Sequence, residues 1–354
     1  MLTGYGIVPL FDDFPLLMNF AIFFVLAGII WSAGTRLSYF IDAIAEQTQI
    51  ARAFMGLVLL STATELPEFV TTLTASSSGN GALALNNMFG GMMLQLAVLA
   101  VADMFVKKGT LSACPKDPTV AIAGLLCISS LCAVLIMYTL GDIAIAGHVG
   151  IGTVIVAIFY IASMYILKQS QGRENWSAVD LPEDKIAKQE RHNRFDQSSL
   201  KRLAVMSFIA GLFILVCGVL LVRLADTLAV QTGLGSSFIG ASLLAMTTSL
   251  PELSTSIAAI RVKAYTMAIS NIFGSNLIMT FLLFPNDLVY TNGAIINEIN
   301  APVLFAIGAG ILMTAIYCIG LLVRPKTRIF KMGIDSLAVL ICYLVSLYAI
   351  YCLR

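Results

Sequence analysis

The chain has 354 residues, of which 58% are hydrophobic and only 12% are charged, and its mean hydropathy is +0.90. Soluble domains carry about 25% charged residues, so this composition excludes a soluble globular protein and indicates an all-α, polytopic membrane protein surrounded by a lipid bilayer. The net charge of +1 and the absence of a basic patch give no reason to expect nucleic acid as a partner.

Ten apolar segments are long enough to cross a bilayer, for which a helix needs about 20 residues. They predict transmembrane helices near 15–36, 51–78, 80–106, 119–140, 147–168, 202–222, 235–260, 264–285, 301–323 and 332–353. The connections are short except for 169–201, which is polar and mixed in charge and is interpreted as a solvated linker. The predicted organisation is therefore a first five-helix repeat (1–168), a connector (169–201) and a second five-helix repeat (202–354).

Two of these segments carry nearly the same motif in a fixed register. TELPE at 64–68 and TSLPE at 248–252 lie 184 positions apart. Each is followed at the same distance by Asn-x-x-Gly, which begins at Asn87 in the first copy and at Asn271 in the second. The chain is therefore interpreted as an internal duplication, with motif regions 61–95 and 245–279.

The duplicated Pro-Glu pairs point to an ion site. A charged side chain at the bilayer centre costs at least ~2.5–3.5 kcal/mol, so a carboxylate there needs a role. Proline breaks or kinks a helix, and free backbone carbonyls at membrane depth are tolerated only inside protein or beside a wet cavity. Carboxylate and carbonyl oxygens are ligands for Na⁺ and Ca²⁺. A proline kink with a Glu paired to a neighbouring helix explains one copy but not two in register.

The distribution of basic residues predicts the orientation, because Lys and Arg are enriched in cytoplasmic loops. With the N-terminus outside, all 21 Lys and Arg residues except Arg223 and Arg354 fall on the cytoplasmic side, including those of the connector. The C-terminus is then also outside. Since each repeat has an odd number of spans, the second repeat enters the membrane from the opposite side, and the repeats are predicted to be inverted.

Other chemistry finds little support in the sequence. The seven cysteines form no CxxC pair and the two histidines are isolated, so no disulfide, cofactor or His-based metal site is expected. No H-E-x-x-H or G-x-S-x-G motif is present, which argues against an intramembrane enzyme. Asp103 is interpreted as the partner of Lys107 in a helix-end ion pair, and Asp335 as structural.

The motif pair resembles the sodium/calcium exchanger family of the calcium/cation antiporter superfamily, in its prokaryotic type with a short central loop. The resemblance rests on Leu-Pro-Glu after a Thr/Ser pair and on Asn-x-x-Gly-Ser-Asn in the next helix, which is complete at 271–276. It covers most of spans one to three and six to eight. It implies a bacterial or archaeal inner-membrane antiporter that exchanges Ca²⁺ against Na⁺ by alternating access, with H⁺ or K⁺ as further candidate ions. It also implies that spans one and six slide as a gate.

The resemblance also implies a set of ion ligands. Glu68 and Glu252 match the central carboxylates. The remaining matches supply hydroxyl, amide or carbonyl oxygens: Ser61, Thr64 and Asn87 in the first repeat, and Ala245, Thr248, Ser249, Asn271 and Ser275 in the second.

Both copies depart from the family pattern in ways that bear on ion selectivity. Gly91 stands where the family has Ser, and Met279 stands where it has Asn or Asp. Gln95, at the equivalent place in the first repeat, still offers an amide oxygen. Glu65 adds a carboxylate where the second repeat has Ser249. We hypothesise that Glu65 or a neighbour binds a proton in one step of the cycle, since clustered carboxylates do not all ionise easily; alternatively, Glu65 faces another polar group near the cytoplasmic side.

Two alternatives to Ca²⁺ exchange remain open at this point. A proton-coupled or monovalent-cation exchanger with altered selectivity is favoured by Met279, Gly91 and Glu65. A membrane sensor that kept the fold without transporting ions would account for the altered first motif. Oligomeric state and stoichiometry do not follow from the sequence.

Overall fold

The molecule is helical in nearly all of the chain that the structure, a computed structural model, describes. The described residues are 11–48, 50, 52–107, 109–115, 118–170, 195, 198–232 and 249–353. Most of the predicted connector and the first part of the predicted seventh span, with Ala245 and Thr248, lie outside these residues.

The first half contains α1 (Leu16–Thr48), α2 (Arg52–Met55), α3 (Ser61–Thr64), α4 (Leu66–Ser77), α5 (Gly81–Asp103), α6 (Thr119–Leu140) and α7 (Ile151–Ser170). A π-helical turn (Gly56–Leu60) joins α2 to α3, and a short antiparallel hairpin of β1 (Ala144–Ala146) and β2 (Val149–Gly150) precedes α7. The second half contains α8 (Leu200–Gln231), α9 (Leu250–Arg261), α10 (Tyr265–Val289), α11 (Ala301–Val323) and α12 (Ile334–Cys352). A second hairpin, β3 (Arg328–Ile329) and β4 (Met332–Gly333), precedes α12. Single 3-10 turns lie at Leu111–Ala113 and Ile295–Glu298.

Eight described helices are long and apolar enough to span a membrane, or nine if α2 to α4 count as one bent span. The predicted spans at 119–140 and 301–323 match α6 and α11 residue for residue. The predicted sixth span, 202–222, matches the apolar span Leu200–Leu221, although the helices α1 and α8 themselves continue beyond the predicted ends at 36 and 222 to Thr48 and Gln231. Apolar length sets how much of a helix lies in lipid, not where its hydrogen bonding ends.

The two long helices α1 and α8 run antiparallel against each other. Near the start of α1, Asn19 Nδ2 donates to Gln231 Oε1 at the end of α8, at 3.0 Å. Near the end of α1, Gln47 Nε2 donates to the Ser198 carbonyl just before α8, at 2.8 Å. This pair lies against both proline-containing segments, since α1 packs on α9 and α8 packs on α3 and α4.

Glycines in repeat register permit these contacts. A Cβ at Gly34 of α1 would clash with Ser254 of α9, and a Cβ at Gly218 of α8 would lie 2.8 Å from Pro67 Cγ of α4. Gly34 and Gly218 are 184 positions apart. The two long helices therefore contact the two proline-containing segments in a related way.

Helices α5 and α10 form the centre of the remaining bundle and also run antiparallel. The start of α5 lies at the end of α10, because a Cβ at Gly81 would be 3.1 Å from the Tyr290 ring. Helix α10 packs directly on the π-helical turn: a Cβ at Gly274 would lie 2.5 Å from the Leu57 carbonyl oxygen. Only glycine allows this close approach, which brings the motif at 271–276 against the π-helical turn that precedes Glu65.

The opposite ends of this core are held by equivalent aspartates. Asp103, the last residue of α5, accepts from the amides of Leu111 at 2.7 Å and Gly333 at 2.6 Å. Asp287 near the end of α10 accepts from the amides of Ile295 and Gly150, both at 2.7 Å. Each aspartate thus binds the connection that follows its own helix and also binds the hairpin of the other half of the chain. Asp103 is therefore committed to backbone amides, which corrects its interpretation as the ion-pair partner of Lys107.

Candidate ion-binding site

The first proline-containing span is broken at Glu65, where the chain bends by 51°. The break follows from the sequence: Pro67 has no amide hydrogen, so it cannot donate to the carbonyl of Ala63 one turn earlier. Helix α3 ends at Thr64 and α4 starts at Leu66, leaving Glu65 between them. The acidic side chain thereby lies at an interruption inside an apolar span.

The three acidic residues of the two motifs are all buried. Glu65 and Glu68 are 2% and 3% exposed, and Glu252 is 0% exposed. Glu68 lies in the first turn of α4, which follows the break, and Glu252 lies in the first turn of α9. The partial positive charge of a helix N-terminus favours a carboxylate at this position.

The described side chains bring residues from both motifs into one cluster. Gln95 Nε2 of α5 donates to Glu65 Oε1 at 2.5 Å. The Ser275 hydroxyl of α10 lies beside the same carboxyl group, although it does not meet the geometry of a hydrogen bond to the described residues. Glu252 of α9 lies near the Glu65 carboxyl group and near the Thr64 side chain. Two carboxyl groups from opposite halves of the chain therefore share one buried site.

Many oxygen atoms of these residues lack a hydrogen-bond donor among the described residues. An unmet buried polar group costs about 1–3 kcal/mol, so these oxygens are candidate ligands. All are hard oxygen donors of the kind that Na⁺ and Ca²⁺ prefer. The atoms are Glu65 Oε2, Gln95 Oε1, Glu252 Oε1 and Oε2, Asn271 Oδ1, Ser275 Oγ and Asn276 Oδ1.

Thr255 and Asn276 are buried polar residues that the sequence reasoning did not name as candidate ligands. Thr255 Oγ1 accepts from Asn271 Nδ2 at 3.1 Å, which fixes that amide and leaves its oxygen unbonded among the described residues. Asn276 is 1% exposed and follows Ser275 directly. Its position inside the Asn-x-x-Gly-Ser-Asn motif was a signal that could have identified it, whereas Thr255 one turn after Glu252 carried none.

The other predicted residues take less central positions. The Ser61 carbonyl, predicted to face the ion, already accepts from the Glu65 amide at 2.9 Å and from Thr64 Oγ1 at 3.1 Å. Ser249 is buried at the N-terminus of α9, and Asn87 is only half-buried on α5. The structure describes no bond that joins Ser249 or Asn87 to the cluster, so their roles as ligands stay predictions.

The chain is similar to a known protein family over most of its length. The family model described as "Sodium/calcium exchanger protein" matches twice, over residues 18–168 and 202–352. A putative antiporter, CaxA of Alkalimonas amylolytica, is 26% identical over 273 residues, which cover 73% of this chain and 77% of the relative. The inner membrane protein YrbG of Escherichia coli K12 is 23% identical over 267 residues, which cover 75% and 78% of the two chains.

Solved structures of the sodium-calcium exchanger NCX_Mj have the same fold. One, soaked with 100 mM Na⁺ and 10 mM Sr²⁺, aligns with a TM-score of 0.69 at 19% identity and covers 95% of this chain and 99% of the other. Another, soaked with 2.5 mM Na⁺ and 0.1 mM Ca²⁺, gives a TM-score of 0.68 at 19% identity, with 94% and 98% covered. Because the family model matches both halves of the chain, this protein belongs to the sodium/calcium exchanger family of cation antiporters and is an integral membrane protein.

Proposed function

We propose that the protein is a secondary antiporter that exchanges Ca²⁺ against Na⁺ at a mid-membrane site centred on Glu68 and Glu252. The observation that carries this proposal is the buried cluster of unbonded oxygens, in which Glu252 of the second motif lies near Glu65 of the first. Its charge and ligand chemistry suit a divalent cation. The proposed ligands also include the predicted residues Thr64, Asn271 and Ser275.

Competition for the same oxygens supplies the coupling in this mechanism. Two buried carboxyl groups in a low-dielectric site cannot both remain charged at low cost without a cation. A site loaded with Ca²⁺ or with Na⁺ is close to neutral and can be closed off from water. An empty, charged site resists that closure, so one ion set must replace the other before the protein changes its open face.

The proposed architecture is ten spans in two inverted five-helix repeats, with both termini outside and the connector in the cytoplasm. Two repeat-related helix pairs, α1 with α8 and α5 with α10, are antiparallel, as inversion requires. Interrupted segments in corresponding positions of two halves are typical of transporter binding sites. The α1 and α8 pair, which contacts both proline-containing segments, is proposed as the sliding gate.

Flux measurements test this proposal directly. The purified protein in liposomes loaded with Na⁺ should take up radioactive Ca²⁺ when diluted into Na⁺-free buffer, and collapsing the Na⁺ gradient should stop the uptake. Isothermal titration of the detergent-solubilised protein with Ca²⁺, Na⁺, K⁺ and Mn²⁺ ranks the bound ions. The absence of both Ca²⁺ binding and Na⁺-driven Ca²⁺ uptake would contradict Ca²⁺/Na⁺ exchange.

Exchange coupled to protons or to monovalent cations alone is the second candidate. Glu65, whose counterpart in the second repeat is Ser249, is the observation that favours it, because it places an additional carboxyl group in the cluster. Repeating the uptake with a pH gradient in place of the Na⁺ gradient separates the two functions. Uptake driven by the pH gradient alone supports the proton-coupled reading.

A further inference from the structure

One buried side chain outside the candidate ion site joins α4 to α10. Asn286 lies near the end of α10 and is fully buried. Its Nδ2 donates to Thr72 Oγ1 at 3.2 Å, and its Oδ1 accepts from Ser76 Oγ at 2.8 Å. Thr72 and Ser76 lie one turn apart on α4 and are also fully buried. The amide group therefore binds two successive turns of α4, and we call these three residues the α4 clamp.

The α4 clamp is connected to Glu68 along one face of α4. The Thr72 hydroxyl donates to the Glu68 carbonyl at 2.9 Å and accepts from Asn286, which uses its single proton and one of its lone pairs. Pro67 removes a backbone hydrogen bond between α4 and the preceding helix, and the chain bends there by 51°. The direction of α4, and with it the place of the Glu68 carboxyl group, therefore depends on contacts with other helices.

Asn286 lies too far along α10 to be an ion ligand itself. Positions 275 and 286 lie on the same helix, and their separation is about 16 Å at about 1.5 Å per residue. Both the oxygen and the nitrogen of the Asn286 amide are already bonded to α4. Any effect of Asn286 on ion binding at Ser275 and Glu68 therefore passes through α4.

The second Pro-Glu helix has no clamp of this kind among the described residues. At the fixed register of 184 positions, the counterparts of the clamp residues are Ala102 for Asn286, Ser256 for Thr72 and Ile260 for Ser76. Ser256 Oγ is buried without a hydrogen-bond partner in the described part of the chain. Helix α9 is joined to α10 by a bond within its own repeat, from Asn271 to Thr255 at 3.1 Å. The α4 clamp, in contrast, joins the two repeats.

We infer that Asn286 is a positioning residue for ion binding, which holds α4 through Thr72 in the direction that keeps the Glu68 carboxyl group at the site. Loss of the clamp leaves every ligand present but lets α4 move, so the protein keeps its fold and loses affinity for the ion. The inference rests on the proposed antiport, because it takes Glu68 as an ion ligand. It adds that a residue outside the site, from the other repeat, sets the strength of binding.

Replacing Asn286 with an apolar residue of similar size tests the clamp. In Asn286→Leu, we expect Ca²⁺ binding to the purified protein, measured by isothermal titration, to weaken about tenfold, equivalent to roughly 1.4 kcal/mol. The Ca²⁺ concentration for half-maximal uptake into liposomes should rise by a similar factor, while the maximal rate changes less than about twofold. Ser256→Ala removes the buried hydroxyl at the counterpart of Thr72 and serves as the matched control, with wild-type affinity. Lower thermal stability of Asn286→Leu with unchanged affinity would show a structural role only and overturn the inference.

Variants of Thr72 test the same bond and do not depend on Asn286→Leu folding. Thr72→Val removes the hydroxyl and should weaken Ca²⁺ binding about as much as Asn286→Leu, whereas Thr72→Ser keeps the hydroxyl and should bind as the wild type does. The double variant Thr72→Val and Asn286→Leu should bind no more weakly than either single variant, because both remove one shared bond. Additive losses of affinity in the double variant, or wild-type affinity in Thr72→Val, contradict the inference.

Failure of the inference and failure of the proposed function give different results. If the wild type exchanges Ca²⁺ for Na⁺ and Asn286→Leu binds Ca²⁺ equally well, the exchange stands and the positioning role is wrong. If the wild type binds Na⁺ but not Ca²⁺, the proposed exchange fails, and titration of the same variants with Na⁺ decides the inference: weaker binding supports it and equal binding overturns it. If the wild type binds neither ion, both are wrong.

Discussion

Asp103 and Asp287 hold opposite ends of the core in the same way, each by accepting two backbone amides at 2.6 to 2.7 Å. Between these ends, the two halves of the candidate site are unequal: Glu65 and Gln95 in the first repeat correspond to Ser249 and Met279 in the second. The scaffold has therefore kept the equivalence of the duplication, while the centre has lost it. These differences between the repeats therefore lie at the candidate ion site.

The largest expected effect is on the rate of ion transport, at Glu252 in the candidate ion site. In Glu252→Gln, we expect the initial rate of Ca²⁺ uptake into liposomes to fall at least about a hundredfold. The proposed bound cation would lose a carboxylate partner, and removing one partner of a buried charge pair costs about 3–5 kcal/mol. Glu298→Gln makes the same chemical change at an exposed position and should retain the wild-type rate. Near-normal uptake by a folded Glu252→Gln protein would remove Glu252 from the ion site.

At the two ends of the core, where Asp103 and Asp287 lie, we expect substitutions to lower the stability of the protein rather than its affinity for ions. Asp287 also accepts from Thr153 Oγ1 at 2.7 Å, so Asp287→Ala leaves three hydrogen-bond donors without their acceptor. At about 1 kcal/mol for each lost hydrogen bond, this variant should destabilise the protein by about 3 kcal/mol. Asp103→Ala strands two amides and should cost about 2 kcal/mol by the same reasoning. Thermal inactivation in detergent measures both.

The decisive observation is which of the two variants loses more stability, because both remove an aspartate side chain from equivalent positions. Equal losses would show that the Thr153 bond contributes nothing. If ligand-free stability were unchanged while the affinity for Ca²⁺ fell, the equivalence of the two ends as structural caps would be wrong.

A smaller effect is expected where the halves approach each other. A Cβ at Gly274 would lie 2.5 Å from the Leu57 carbonyl oxygen, whereas nothing among the described residues lies within 4 Å of a Cβ at its counterpart Gly90. Gly274→Ala should therefore cost about 1–3 kcal/mol, as overpacking of a core does. Gly90→Ala is the matched control and should be neutral or stabilising, because alanine is the better helix former. Equal thermal stability of the two variants would contradict the close approach.

The smallest effect is the pH dependence contributed by Asp142, which lies in the connection before β1 at the same end as Asp287. Burial raises the pKa of Asp142 above its usual 3.8, and the nearby charge of Asp287 adds to that shift, against an opposing hydrogen bond from the Gly152 amide. The folded state therefore holds this proton more tightly than the unfolded state, so stability falls as pH rises from 3.8 through the raised pKa. Asp142→Asn should flatten the thermal stability curve in that window, and an unchanged slope would contradict the assignment.

The sequence by itself determined the membrane class, most of the spans, the duplication and the family. These follow from one-dimensional signals: apolar length, a fixed register and two prolines with adjacent carboxylates. The helix break at Glu65 was predictable for the same reason, because Pro67 lacks an amide hydrogen wherever the fold places it.

Only the tertiary structure decided which residues of the two motifs are in contact and which are similar in sequence position alone. Gly91 and Met279 are far apart in the chain, and their contact depends on how closely α5 and α10 pack. Asp103 likewise appeared to pair with Lys107 four residues later, but the fold brings it the amide of Gly333 instead. The sequence shows directly which side chains are acidic or polar. The donors that satisfy a buried carboxylate, however, come from distant segments that only packing brings together.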